Sequence, residues 1–233
     1  MMIKYEIGNI FPTPLYRVHG KTEKFRFLIT KEIEDVIKDL EYQTSKPEAL
    51  PPPEFPRANV NDRLDGQVQI YHISENKWIL EDNKFKKIRS FCEEHIDNYV
   101  EKVIGPADGY DFCITQSWLN ITKPGQEHGR HHHENTTISG IFYIKNASHC
   151  PINFYNKIHT KHDLSMNLKT ATPYNTVVAS TAVKDGDLLL FPGWLDHSVD
   201  KNNHTTDRIS LAFNVFAKGI YGKESELNQV HIK

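Results

Sequence analysis

The segment EHGRHHHENTTISG, residues 127–140, holds four histidines, His128, His131, His132 and His133, of the thirteen in the chain. In an extended strand, side chains two residues apart share a face. One face therefore offers His131 with His133, and the other offers His132 with Glu134. Either pair can supply two neighbouring metal ligands, because imidazole and carboxylate both suit divalent transition metals. A short histidine tract is also compatible with a polar, solvated strand end that binds nothing.

A third ligand has an origin further along the chain. DGDLLLFPGWLDHSV, residues 185–199, reads as a turn, a buried strand over Leu188–Phe191, a loop, and a strand opened by His197. Where strands distant in sequence face each other across a β-sandwich or barrel mouth, such a histidine can reach a pair on an earlier strand. Three protein ligands with open positions opposite them make a reactive non-haem metal site. In DRISLAFNVF, Arg208 sits in an otherwise apolar strand with Ser210 on its face. A buried guanidinium needs an anionic partner. Its planar fork suits a carboxylate, and the Ser210 hydroxyl can donate to the same group. That carboxylate belongs either to a ligand or to one of the chain's own acids.

The elements that must position these residues fall in two halves. Residues 10–18 (IFPTPLYRV) read as a proline-punctuated edge strand. Thr30 can cap a helix over Lys31–Gln43 with Ile33, Val36, Ile37 and Leu40 as its apolar stripe, and a second helix is expected from Asp82 to Val103. Between them, Pro47–Pro56 carries five prolines and reads as an extended loop. After Gly109, short β-rich runs (DFCITQSWLNIT, TISGIFYI, PINFY, TVVAS, DLLLF, HSV, RISLAFNVF) alternate with Gly, Asn, Asp and Pro clusters, the pattern of a sandwich, barrel or jelly-roll. We therefore expect an α+β, mainly β fold: a double-stranded β-helix (jelly-roll) with N-terminal helices packed on one sheet. Residues 1–233 are expected to form one unit, with 1–108 as an α-rich support and 109–220 as the jelly-roll core.

Composition narrows the function. A net charge of −2 over 233 residues gives no basic footprint for nucleic acid. There is no apolar run of membrane-spanning length and no signal-peptide pattern at the start. The three cysteines, Cys92, Cys113 and Cys150, match no cysteine-based zinc motif and suit a reducing compartment, so we expect a cytoplasmic protein.

The order His-x-(His or acid), distant His, then Arg-x-Ser resembles the 2-oxoglutarate/iron(II)-dependent dioxygenases. More narrowly, IFPTPLY, SWLNITKPGQEH, HHHENTTISGIFYI, LLLFPGWLDHSV and RISLAFN follow one another as in a bacterial and phage group of such oxygenases. The resemblance covers most of residues 110–217. It implies Fe(II), 2-oxoglutarate and O2 as cofactors, and hydroxylation of a small-molecule or peptide substrate, a prolyl residue among the candidates, with succinate and CO2 as co-products. It aligns Glu134 with a proline, which favours His131 and His133 as ligands over His132 and Glu134. It makes His197 the distal ligand, and Arg208 with Ser210 the clamp for the cosubstrate carboxylate. Tyr143 and Asn120 then support the same pocket. No Asp or Glu matches the usual carboxylate ligand. Two other readings remain: a cupin-like metalloenzyme without 2-oxoglutarate, and a non-catalytic jelly-roll binding module. Neither needs Arg208 beside Ser210.

Overall fold

The computed structural model describes residues 9, 11–20, 28–29, 31–44, 72–156, 169–170 and 172–233. Thr30 and the proline-rich segment 47–56 lie outside them. In chain order the elements are β1 (Tyr16–Val18), α1 (Lys31–Asp39), β2 (Tyr42–Thr44), β3 (His72–Ser74), α2 (Lys86–Tyr99), β4 (Asp111–Thr122), β5 (His128–His131) and β6 (Ile138–Lys145). There follow β7 (Ile152–Tyr155), β8 (Val178–Thr181), β9 (Leu188–Pro192), β10 (His197–Val199), β11 (Arg208–Tyr221) and β12 (Val230–Ile232). An antiparallel major sheet runs β1-β9-β6-β11-β4-β3-β2, with β12 added on β11, and a minor sheet runs β5-β10-β7-β8.

Strand alternation divides the major sheet into two faces. Phe142 and Ile144 of β6, Leu188 and Leu190 of β9, and Leu211 and Phe213 of β11 pack with Ile33 and Ile37 of α1 and Ile88, Phe91, Ile96 and Tyr99 of α2. The intervening residues, Ile141 and Tyr143 of β6 and Leu189 and Phe191 of β9, meet Ile152 and Phe154 of the minor sheet. The result is a jelly-roll with helices on one sheet. β9, buried on both faces, reads as an unbroken apolar run for that reason.

The N-terminal half differs in detail from expectation. The first helix stops at Asp39, short of Gln43. The Tyr42 hydroxyl bonds back to the Ile37 carbonyl at 2.8 Å, and residues 42–44 turn into the outermost strand, paired with β3. This half thus supplies three strands to the major sheet as well as helices. The second helix is preceded by two 3-10 turns, Asp82 accepting from the Lys84 amide at 2.8 Å, and α2 proper begins at Lys86. It closes through a π turn over Val100–Ile104, ended by Gly105 at φ +57°, where a side chain would be strained. Among the described residues no helix is long and apolar enough to cross a membrane.

Candidate metal centre

The candidate ligands come together where β5 and β10 pair in the minor sheet. His197 lies opposite His131 in the ladder. His133 follows just past the strand, its amide donating to the Gly193 carbonyl at 3.0 Å. Ligand atoms of His131, His133 and His197 all lie within 4.8 Å of one another, near enough to share one ion. His132 and Glu134 point the other way and are exposed. The His132 Nδ1 lies 3.1 Å from Asp196, which also holds Arg130 at 2.8 Å.

Each of the three converging rings has its Nδ1 against an oxygen: His131 on the Gly129 carbonyl at 2.8 Å, His197 on the Leu195 carbonyl at 3.0 Å, and His133 on the Asn214 side-chain oxygen at 2.6 Å. A carbonyl oxygen only accepts, so Nδ1 carries the proton and Nε2 keeps the lone pair. This is how metal-binding imidazoles are commonly oriented. Burial is the main cause that pushes the ring pKa values down, His131 to about 4 and His133 and His197 in the same direction. The rings are therefore neutral at neutral pH, the form that binds a metal.

His128 joins them unexpectedly. It is three residues from His131, an odd spacing that a regular strand would send to the opposite face. The β5–β10 ladder is irregular here: His131 faces His197 while His128 faces Val199, so three steps on β5 match two on β10. The extra residue forms a bulge. His128 comes onto the inner face, its ring stacked on His131 with centroids 4.2 Å apart at 11°.

The cleft runs from the three rings to Arg208. Trp118, Asn120, His128, Ile141, Val199, Ser210 and Ala212 complete its wall, and among the described residues no carboxylate lines it. Arg208 is buried, and its Nε and Nη2 have no hydrogen-bond partner among the described residues. Asn120, Ser210 and Tyr143 lie abreast on β4, β11 and β6. Among the described residues the buried Asn120 oxygen is likewise unpaired. Tyr143 is not on the wall. Its ring lies under the Arg208 guanidinium at 5.2 Å, and burial pushes its phenol up to about 12, so a neutral ring supports the cation from behind.

Two participants were not singled out from the sequence. Asn214 shares the face of Arg208 and Ser210, and as the next polar residue in that alternation it was recoverable. His128 needed knowledge of the bulge. His72 and His95 lie elsewhere: His72 is 3.5 Å from Gln126, and His95 accepts or donates at 2.8 Å with the Tyr16 hydroxyl.

Residues 116–214 match the family model described as "Putative 2OG-Fe(II) oxygenase". No curated protein matches the chain. Among solved structures, it resembles the non-heme alpha-ketoglutarate-dependent epimerase SnoN from nogalamycin biosynthesis (10% identity, TM-score 0.59, 91% of this chain and 82% of that one). It also resembles HygX from Streptomyces hygroscopicus, solved with nickel and 2-oxoglutarate (11%, 0.52, 88% and 83%). A third likeness is a Trichoplax adhaerens prolyl hydroxylase in complex with a peptide fragment (12%, 0.54, 87% and 83%). At these identities the structural likenesses establish a shared fold. Sequence over 116–214 and fold thus agree in their resemblance to 2-oxoglutarate/Fe(II) oxygenases.

Proposed function

We propose that this chain is an oxygenase that binds Fe(II) through His131, His133 and His197 and takes 2-oxoglutarate between that ion and Arg208. The observation that carries the reading is Arg208, a buried cation without an acidic partner among the described residues, facing three neutral imidazoles across a cleft that no carboxylate lines. Such a cation destabilises the protein until an anion arrives. A dicarboxylate that coordinates the metal at one end and pairs with the guanidinium at the other satisfies both features. A cupin-like centre or an inert module leaves the cation unexplained.

The roles of the residues follow from their positions. The Nε2 atoms of His131, His133 and His197 would hold the ion. Arg208 pairs with the distal carboxylate, Ser210 donates to it, and Asn120 borders the same end. Tyr143 supports the guanidinium, and Ile141, Val199 and Ala212 keep water from the cleft. When bound, Fe(II), 2-oxoglutarate and O2 supply the oxidising chemistry, with succinate and CO2 as co-products, while the protein provides orientation.

The reaction is hydroxylation of a small molecule or a peptide, a prolyl side chain included. We place the site on residues 109–220, with the described helices and strands of the N-terminal half as its support in one unit. The three cysteines, all free, suit a reducing cytoplasm. The test is succinate release from 2-oxoglutarate by the Fe(II)-loaded protein with ascorbate, screened over prolyl peptides and small metabolites. Failure of the Ni(II)-loaded protein to bind 2-oxoglutarate at millimolar concentration overturns the reading.

A further inference from the structure

We propose that His128 is a cosubstrate-binding residue, its imidazole N–H donating to the metal-bound carboxylate of the 2-oxo acid, at the opposite end of the cleft from Arg208. The inference rests on the function proposed above and adds a residue to it.

Three observations support it. The β5 bulge turns His128 inward, onto the wall shared by the three converging histidines and Arg208. Its ring is stacked on His131, 4.2 Å between centroids and 11° between planes. At that separation two parallel rings cannot be coplanar without overlapping, so they lie face to face. An ion coordinated by His131 lies in the plane of the His131 ring, and therefore well out of the plane of His128. The nitrogen lone pairs of His128 cannot point at it, which excludes His128 as a fourth ligand despite its place in the histidine run. What its ring edge can reach is a group already bound to that ion. Among the described residues no carboxylate joins the candidate ligand set of His131, His133 and His197. The cosubstrate brings a carboxylate to this wall, and an N–H donated to a carboxylate is among the stronger hydrogen bonds.

The experiment uses the full chain saturated with Ni(II) and follows ligand binding by calorimetry, with His128→Phe as the variant, since phenylalanine retains the stack and removes the N–H. We expect 2-oxoglutarate to bind about 10- to 100-fold more weakly than to the parent, as for loss of one hydrogen bond to a charged group. Ni(II) affinity should stay within about threefold, a difference of less than 1 kcal/mol. 2-Oxobutyrate, which lacks the distal carboxylate, should lose the same factor, because the contact is at the metal-bound end. Unchanged 2-oxoglutarate affinity in the variant, with the parent binding normally, overturns the inference and leaves the proposed function standing. A parent that does not bind 2-oxoglutarate overturns the proposed function itself. Loss of Ni(II) affinity with 2-oxoglutarate unaffected on the loaded protein makes His128 a support for His131 only, and also overturns it. His128→Gln, which restores a donor without the ring, should recover part of the affinity; no recovery, together with loss of Ni(II) binding, counts against the donor role.

Discussion

The Nδ1 of His133 lies 2.6 Å from the side-chain oxygen of Asn214, on the strand that six residues earlier presents Arg208 to the same cleft. β11 thus sets the orientation of one imidazole and the position of the guanidinium through a single rigid element. β4 on one side and β6 on the other hold it in place.

Replacing Asn214 with Ala should release the His133 ring and weaken metal affinity about 10- to 100-fold, the usual cost of losing such a support. Asn214→Asp keeps an acceptor and should preserve binding. Competitive Ni(II) titration of the two variants checks this. Equal affinity of Asn214→Ala and the parent would show that His133 needs no support, or is no ligand.

The metal-free protein should lose stability in mild acid. Burial lowers the ring pKa of His128, His131, His133 and His197, His131 to about 4 against an ordinary 6.5. Below 6.5 the unfolded chain therefore binds more protons than the folded one, and stability rises with pH. The contribution is fully present above about pH 6.5 and declines as pH falls toward 4, by at most about 1.4 kcal/mol per pH unit for each ring. Urea unfolding at pH 7.5 and 5.0 measures it. His131→Gln should flatten the dependence, and Ni(II) should raise stability more at pH 7.5 than at 5.0, since protons compete for the same lone pairs.

The strands that carry the site were legible mainly from the turn residues that bound them, with alternation added in the long ones. β4 begins and ends where DFCITQSWLNIT does, and β10 is HSV. Alternation also separates His131 and His133 from His132 and Glu134. It fails at His128, since a bulge shifts the face by one residue and leaves no mark in residue type beyond Gly129. β2, at the sheet edge, and β3, next to it, were missed because three residues carry too little pattern. β3 is decided by its pairing with β4, which lies far away in the chain, and β2 by its pairing with β3.

Gly140 offers a packing test on the helix-facing side. A Cβ there would come within 2.1–2.6 Å of the Phe213 ring, which is fully buried and has nowhere to move. Gly140→Ala should cost about 1–3 kcal/mol. Combined with Phe213→Leu it should cost less than the two changes summed, because the smaller side chain makes room. Chemical denaturation of the four proteins gives the coupling, and strict additivity would show that the ring is not what excludes the methyl group.

Arg208 gives opposite results in the free and the bound protein. Its guanidinium is buried, with Nε and Nη2 unpaired among the described residues. Removing the charge while keeping the bulk, as in Arg208→Met, should therefore leave the free protein as stable as the parent or more so. A structural salt bridge predicts the reverse, a clear loss on breaking the pair. On ligand binding the sign changes. Arg208→Met and Arg208→Ala should each weaken 2-oxoglutarate by about 2–5 kcal/mol, roughly 30-fold to several thousand-fold, with Ni(II) affinity little altered. Arg208→Lys should recover little, because an ammonium group cannot form two parallel hydrogen bonds to a carboxylate. Thermal melts with and without 2-oxoglutarate read both effects. The parent should gain melting temperature with the ligand, by an amount set by its affinity, and Arg208→Met should start at or above the parent and gain little. A variant that melts lower without ligand and yet gains as much on adding it would make Arg208 part of the framework, and the anion would have to be held elsewhere.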